Sequence, residues 1–182
     1  MGNTDSIPIN NDRPALLVID AKLNVERGFH AAAITKYKRS YDLYKEAGLN
    51  ASAGKSLSLA AETGLQMVNP DYELAATAFE EVGTLYLLSD ITAIIAKYSF
   101  ANAIFCLLAA GRIATAKGKY TDFVTKDKRF SDCLEGIASK AILDAYQNGN
   151  KSQCLDRVDS YKDIKPIPAW RSLLLDAIVN RL

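Results

Sequence analysis

The chain contains the same helical pattern twice, and this repeat restricts the possible folds more than any other feature. Each copy has a small residue, an aromatic residue four places later, and a Leu-Tyr pair further on. The two copies are Ala33–Tyr44 and Ala75–Tyr86, which lie 42 residues apart, and a fainter third copy begins at Ala116. Self-similarity at this period is typical of helical solenoids, in which each unit is a pair of antiparallel helices.

The residue types in the repeat explain how such units would pack. An alanine lets a neighbouring helix approach closely, and an aromatic residue four places later lies on the same helix face and fills the space beside it. Strand-like alternation of polar and apolar residues is nearly absent. We therefore expect an all-α fold, a right-handed TPR-like solenoid of antiparallel hairpins with about nine helices. Such a fold presents an extended surface, which favours a protein that binds other proteins.

Helix-breaking residues divide the chain. Residues 1–13 are polar and are expected to form a flexible leader, while residues 14–182 form a single helical-repeat domain. The helices are expected at about 14–27, 31–47, 50–65, 72–87, 90–108, 113–124, 132–147, 152–161 and 170–182. Asn50 or Ser52 is expected to cap the third helix, and Asp132 with Glu135 is expected to form a capping box for the seventh.

Two apolar faces are predicted at the ends of this array. The first helix has a hydrophobic face that consists of Leu16, Leu17, Ile19 and Leu23. In the last helix, Trp170 is expected to pack in the core, where its face is completed by Leu173, Leu174, Ile178 and Leu182.

Composition excludes several classes of protein. The net charge of +1 provides no overall field for nucleic acid, and no run approaches 18 apolar residues, so we expect no membrane span. The polar start is not that of a signal peptide. Three widely spaced cysteines, Cys106, Cys133 and Cys154, indicate reduced thiols rather than a disulfide framework, which predicts a cytoplasmic protein.

Short motifs give little support for catalysis or for a cofactor. The segment Ala53–Ser56 resembles part of a phosphate-binding loop, but that loop needs a preceding strand and a glycine where Leu49 stands. An ordinary helix start is the favoured interpretation. His30 is the single histidine, and one imidazole with scattered cysteines does not make a metal site. We therefore predict no enzyme activity, no cofactor and no metal.

Two other motifs leave alternatives open. Met1–Ser6 fits the loose pattern for N-myristoylation, and the competing interpretation is a polar terminus that matches by chance. A basic cluster spans one repeat and is either an ordinary solvated face or a surface for an acidic, rod-like partner. Its members are Lys36, Lys38, Arg39, Lys45 and Lys55.

Several segments together resemble the soluble NSF attachment proteins, the SNAP family. The matching segments are residues 33–45, 50–55 and 78–83, the positions after Lys97, the motif 130–132 with Glu135, and residues 161–182. The resemblance covers roughly residues 15–182. Its most specific parts are the Phe-Ser-Asp motif at 130–132 and Trp170, since helical repeats alone would not distinguish this family.

The resemblance implies a function. Proteins of this family are cytosolic all-α adaptors that coat the four-helix SNARE bundle left after membrane fusion. They recruit the hexameric AAA+ ATPase NSF, which pulls the bundle apart, and have no catalytic activity of their own. Complete members have further N-terminal hairpins with a membrane-contacting loop, so this chain looks like a C-terminal half. Because complete members contact membranes through that loop, the resemblance also implies possible peripheral membrane contact.

The resemblance also implies site residues. Lys55 matches a position that contacts SNAREs, and Lys36, Lys38 and Arg39 are expected beside it. Basic family positions are lost at Leu59, Ala101 and Leu134. On the ATPase side, Asp144 preserves one acidic position, with Asp156 and Asp159 nearby, whereas Gln147 and Asn148 replace two others. These losses leave a second hypothesis open, a helical-repeat scaffold that has lost the SNARE and NSF functions.

Overall fold

A computed structural model describes residues 13–164 and 166–182 of the chain. The segment Met1–Ser6 and the rest of the expected leader before Arg13 lie outside the described residues. In the described part, nine α-helices and one short 3-10 turn follow one another without a strand. They are α1 (Pro14–Glu26), α2 (His30–Glu46), α3 (Asn50–Gly64), α4 (Tyr72–Tyr86), α5 (Asp90–Ala109), α6 (Ile113–Lys126), the 3-10 turn Lys128–Phe130, α7 (Leu134–Gln147), α8 (Lys151–Ile164) and α9 (Ala169–Arg181).

The predicted all-α class and helix boundaries are confirmed within a few residues, but two predicted caps are wrong. The N-cap of α3 is Leu49, and no side chain caps that helix. The N-cap of α7 is Cys133, whose Sγ accepts a hydrogen bond from the backbone N–H of Gly136 at 3.4 Å. The capping box fails because the preceding 3-10 turn engages the backbone N–H of Asp132, which donates to the carbonyl of Arg129 at 3.3 Å.

The repeated residues are the packing residues of alternate helices, as predicted. Ala33 and Tyr37 are buried in α2, and Ala75 and Phe79 are buried at the equivalent places in α4. In α6 the pattern weakens, because Ala116 is buried but its aromatic partner is only half-buried. The sequence repeat therefore corresponds to a structural repeat of one helical hairpin.

Ion pairs connect the even-numbered helices side by side. Lys45 of α2 pairs with Glu81 of α4 at 2.5 Å. The adjacent residue of α4, Glu80, pairs with Lys119 of α6 at 2.7 Å and with Lys126 at 3.5 Å. We call the solvent-facing side of α2, α4 and α6 the even-helix surface. The solvent-facing side of α3 and α5 lies on the other side of the hairpins, and we call it the odd-helix surface.

Aromatic contacts hold the C-terminal helices on the repeats. Trp170 is buried and stacks on Phe79, with ring centroids 5.8 Å apart, so its predicted place in the core is confirmed. Leu173 was predicted on the same face but is 61% exposed, and Leu175 is buried instead. Successive residues of a helix lie about 100° apart around its axis. Leu174 is buried in the contact with α5, so its neighbour Leu173 lies outside that contact.

The predicted apolar face of α1 does not enter the core. Leu16, Ile19 and Leu23 are exposed and Leu17 is half-buried, and α1 packs instead through Ala21 and Val18 on its other side. The small Ala21 permits close contact with α2, which explains why the helix turns this side inward.

Helix α5 is the central helix of the molecule. Its 20 residues make it the longest helix described, and every residue from Ser99 to Ala109 is buried. It is also the one described helix long and apolar enough to cross a membrane, although we expected no such segment. Because 61% of its apolar window is buried against other helices, its composition fits a core helix.

Candidate interaction surfaces

Lys55 stands on the first turns of α3, at the centre of the odd-helix surface. The opposite side of α3, which includes Ala53, Leu57 and Ala60, is buried against the neighbouring helices. Lys55 itself is exposed and forms no ion pair with any residue that the structure describes. Its ammonium group is therefore available to a negatively charged partner.

The glycine before Lys55 has a packing role rather than a phosphate-binding one. A Cβ atom at Gly54 would lie 2.8 Å from Cε1 of Tyr86, so the glycine permits close contact between α3 and α4. The next residue, Ser56, is buried, and its hydroxyl lies 3.1 Å from that of Ser40 in α2. The segment is an ordinary helix start that carries two helix contacts, which supports the interpretation favoured from the sequence.

The basic cluster predicted from the sequence divides over several directions. Lys36 faces α1 and pairs with Asp20 at 2.7 Å. Lys38 follows two residues later, about 200° around the helix, and faces α4. Arg39 is exposed one turn after Lys36, and the i, i+3 spacing places it on the same side of α2 as Lys36. The structure therefore does not bring the four cations together on one surface.

Lys45, the remaining member of the cluster, takes part in a packed polar contact. Its Nζ donates to Glu81 and to the hydroxyl of Tyr41, and that hydroxyl also donates to Glu81. Burial alone would raise the pKa of Glu81, but hydrogen bonds from Lys45 and Tyr41 outweigh this effect and hold the pKa below its usual value. This lysine serves to join α2 and α4.

An exposed apolar stripe lies on α5, on the odd-helix surface, where Ile94 adjoins Lys97 and Arg129. Ile91, Ile94 and Ile95 are 87%, 64% and 38% exposed, and their i, i+3, i+4 spacing places them on one side of the helix. Further along this side, Phe105 is covered by Tyr161 of α8, with ring centroids 5.9 Å apart. The stripe is therefore the uncovered half of a face whose other half is core, and periodicity alone could not separate the halves.

The lost basic positions have different surroundings. Leu59 is half-buried one turn after Lys55, and Leu134 is half-buried at the start of α7. Ala101 is 1% exposed within the core of α5. A lysine at position 101 would lack space and water in this chain, so its loss follows from the packing of α5.

The predicted acidic positions lie on α7 and α8. Asp144 is half-exposed and pairs with Lys140 one turn earlier at 2.5 Å, so much of its charge is neutralised locally. Asp156 and Asp159 are exposed on α8 and form no ion pair within the described residues. Asp163 completes their stripe at i, i+3, i+7 and is also exposed; this spacing is visible in the sequence, but we did not predict the third residue.

Residues that could bind a metal ion or react as nucleophiles are scattered. Among the residues described, no three side chains of the His, Cys, Asp or Glu type come together in a possible metal site. Cys106 is fully buried, and burial raises the pKa of its thiol well above the usual value, which opposes formation of a reactive thiolate. His30 begins α2 and is half-buried.

Comparison with known proteins agrees with this architecture. A family model described as "Soluble NSF attachment protein, SNAP" matches residues 21–182. The chain is 29% identical over 143 residues to an alpha-soluble NSF attachment protein of Mus musculus, which covers 79% of this chain and 48% of the relative. It is 24% identical over 162 residues to the Dictyostelium discoideum protein of the same name, covering 89% and 55%.

A third relative is the vesicular-fusion protein SEC17 of Coprinopsis cinerea, 23% identical over 143 residues, which covers 79% of this chain and 49% of the relative. The chain thus spans about half the length of the curated relatives it matches. The family match includes every helix from α2 to α9 and the end of α1. On this match, the chain belongs to the soluble NSF attachment protein family.

Proposed function

We propose that this chain is an adaptor that binds a SNARE four-helix bundle and recruits an NSF-type AAA+ ATPase to it for disassembly in vesicle trafficking. The observation that carries the proposal is the family match over residues 21–182, together with relatives named for NSF attachment and vesicular fusion. The proteins of this family are adaptors rather than enzymes, and we propose the same for this chain.

The odd-helix surface is the proposed SNARE-binding surface. Lys55 of α3 supplies a free positive charge, and the stripe of Ile91, Ile94 and Ile95 on α5 supplies apolar contact. An acidic helical bundle would be attracted and oriented by the charge, while the isoleucines would contribute buried apolar area. Lys36 and Arg39 lie on one side of α2, toward α1, and would be peripheral contacts, whereas Lys38 faces α4.

The acidic stripe of α8 is the proposed ATPase-binding surface. Asp156, Asp159 and Asp163 offer three carboxylates on one side of an exposed helix, and Asp144 on α7 would add to them once its pairing with Lys140 is broken. Contacts of this kind mainly raise the rate of association and fix orientation, so they act together rather than singly.

A reconstituted disassembly assay tests the proposal against the alternative of a scaffold without this activity. The assay contains an assembled SNARE bundle, an NSF-type ATPase, ATP and the full chain, and it measures release of the separate SNARE helices. We expect the chain to support release, and the triple variant Asp156→Asn, Asp159→Asn, Asp163→Asn to lower it several-fold without changing bundle binding. If release does not respond to the chain although the bundle is bound, the scaffold hypothesis is correct.

Peripheral membrane contact is a separate part of the proposal. Phe29 and Val68 are 59% and 96% exposed on two loops at the same edge of the repeats, and Met67, the residue before Val68, is also exposed. Burial of apolar side chains at the boundary of headgroups and acyl chains strengthens binding to a membrane surface. Co-sedimentation with vesicles of neutral and anionic lipid should fall for Val68→Asp. Unchanged co-sedimentation would show that this edge does not contact the membrane.

A further inference from the structure

An apolar groove lies on the even-helix surface, apart from the proposed SNARE-binding and ATPase-binding surfaces and next to the loop that contains Met67. It has a volume of about 350 Å³, within the ~300–1,000 Å³ range typical of ligand pockets. Its floor is α3, through Leu57, Ala60 and Ala61, and its walls are α2 and α4. The small alanine side chains make the groove deep, and the exposed Leu74 forms part of one wall.

The repeat explains why this groove is open. In the following hairpin, Glu80 of α4 reaches across to Lys119 of α6 and closes the corresponding space with an ion pair of 2.7 Å. One repeat earlier, the equivalent positions are Lys38 and Ala78, and both line the groove. Because alanine carries no charge, no ion pair forms between these two positions, and the ion pair that joins α2 to α4 is instead that of Lys45 with Glu81.

Among the described residues, the rim of the groove carries one unpaired cation, Lys38. Lys38 is exposed and forms no ion pair within the part of the chain that the structure describes. Two carboxylates also line the groove, but both are engaged already. Glu81 accepts hydrogen bonds from Lys45 and Tyr41, and Asp71 accepts one from the backbone N–H of Leu74 at 2.9 Å as the N-cap of α4.

We propose that this groove binds an acidic amphipathic peptide segment of a partner protein. An apolar side chain of the segment would enter between α2 and α4, and an Asp or Glu one turn away would pair with Lys38. This arrangement combines burial of apolar surface with a charge-assisted hydrogen bond, as in other complexes in which a helix binds a groove. The site is distinct from the proposed SNARE-binding and ATPase-binding surfaces.

Fluorescence anisotropy with the full chain tests the proposal directly. The probe is a labelled synthetic peptide of about four helical turns, with leucines along one side and glutamates beside them. We expect saturable binding to the native chain and loss of binding when the glutamates of the peptide are replaced by lysines. No saturable binding up to millimolar concentration, or equal binding of the lysine peptide, would overturn the proposal.

Two variants of the chain test the residues, each with a matched control. Lys38→Glu should raise the Kd for the acidic peptide by about tenfold, and Lys38→Arg should retain binding. Ala78→Glu should also weaken binding, because it restores a charge bridge to Lys38 and fills the groove. Lys117→Glu on α6, an equal charge change outside the groove, should bind like the native chain. If Lys38→Glu and Ala78→Glu also bind like the native chain, the groove is not the site.

Discussion

At the scale of single residues, the glycines of this chain have two quite different roles. Gly136 lies at the first turn of α7, where a Cβ atom would come within 1.7 Å of the carbonyl oxygen of Phe130. Gly118 lies on the exposed side of α6, with no other atom within 4 Å of that position. Because a backbone oxygen cannot move aside as a flexible side chain can, the first glycine is required by packing and the second is not.

This difference gives a paired prediction for stability. Gly136→Ala should lower the free energy of unfolding by about 1–3 kcal/mol or more, because the turn before α7 must shift. Gly118→Ala should raise it by about 0.5–1 kcal/mol, because alanine loses less backbone entropy in a helix. Urea unfolding of both variants measures the two effects. Equal changes in the free energy of unfolding would contradict the close contact between Gly136 and Phe130.

The charged residue Glu81 gives a prediction for the pH dependence of stability. Its lowered pKa means that folding favours its ionised form, so its contribution is present above the unfolded-state pKa of about 4.3 and is lost as the pH falls through the lower folded-state value. Since its side chain is 39% exposed, solvent limits that contribution to about 0.2–1 kcal/mol.

The Glu81→Gln variant should therefore be less stable than the native chain at pH 7, and the difference should shrink as the pH falls below about 4. Unfolding titrations at several pH values measure it. Glu46→Gln, at the exposed end of α2, provides the control, since Glu46 forms no ion pair in the described chain. A difference for Glu81→Gln that stays constant from neutral to acidic pH would contradict the lowered pKa.

At the scale of helices, α5 combines a core segment and an exposed segment. Ile91→Ser and Ile94→Ser lie in the exposed half and should change the free energy of unfolding by no more than about 0.5 kcal/mol. Ile104→Ala lies in the buried half and should lower it by about 2–5 kcal/mol. If the isoleucines serve a partner, the first two variants should instead weaken binding to a SNARE bundle. A large loss of stability from either serine variant would place these residues in the core.

Helix packing also shows how far the sequence alone could lead. The spacing of Ala33, Tyr37, Ala75 and Phe79 predicted both the class of fold and the residues that pack, because the same local contact recurs in each repeat. The basic cluster could not be resolved in this way. Lys36 and Lys38 are two residues apart in the sequence, but the helix turns them in opposite directions, and their neighbours then decide their roles.

Errors in the prediction have a common physical cause. The exposure of Leu16 and Leu173 and the capping of α7 by Cys133 depend on which helices lie beside them, and a local pattern does not contain that information. The third acidic residue of α8, Asp163, was different. Its i+7 relation to Asp156 is visible in the sequence, and a search along the helix face would have found it.

At the scale of the whole molecule, the two layers of helices present different chemistry. The odd-helix surface has the free Lys55 and an uncovered apolar stripe, whereas ion pairs such as Glu80 with Lys119 neutralise much of the even-helix surface. The acidic stripe lies on α8, among the C-terminal helices that pack on α5. Separate surfaces of this kind allow one chain to hold two partners at once, as an adaptor requires.

Binding of the full chain to an assembled SNARE four-helix bundle, measured by gel filtration at low and at moderate salt, is the most direct test of this account. We expect co-elution of the chain with the bundle that weakens as salt rises, because exposed charges are screened. We also expect that Lys55→Glu, on the odd-helix surface, weakens binding much more than Lys117→Glu, on the even-helix surface. Separate elution even at low salt, or equal losses from the two variants, would contradict the proposed adaptor surface.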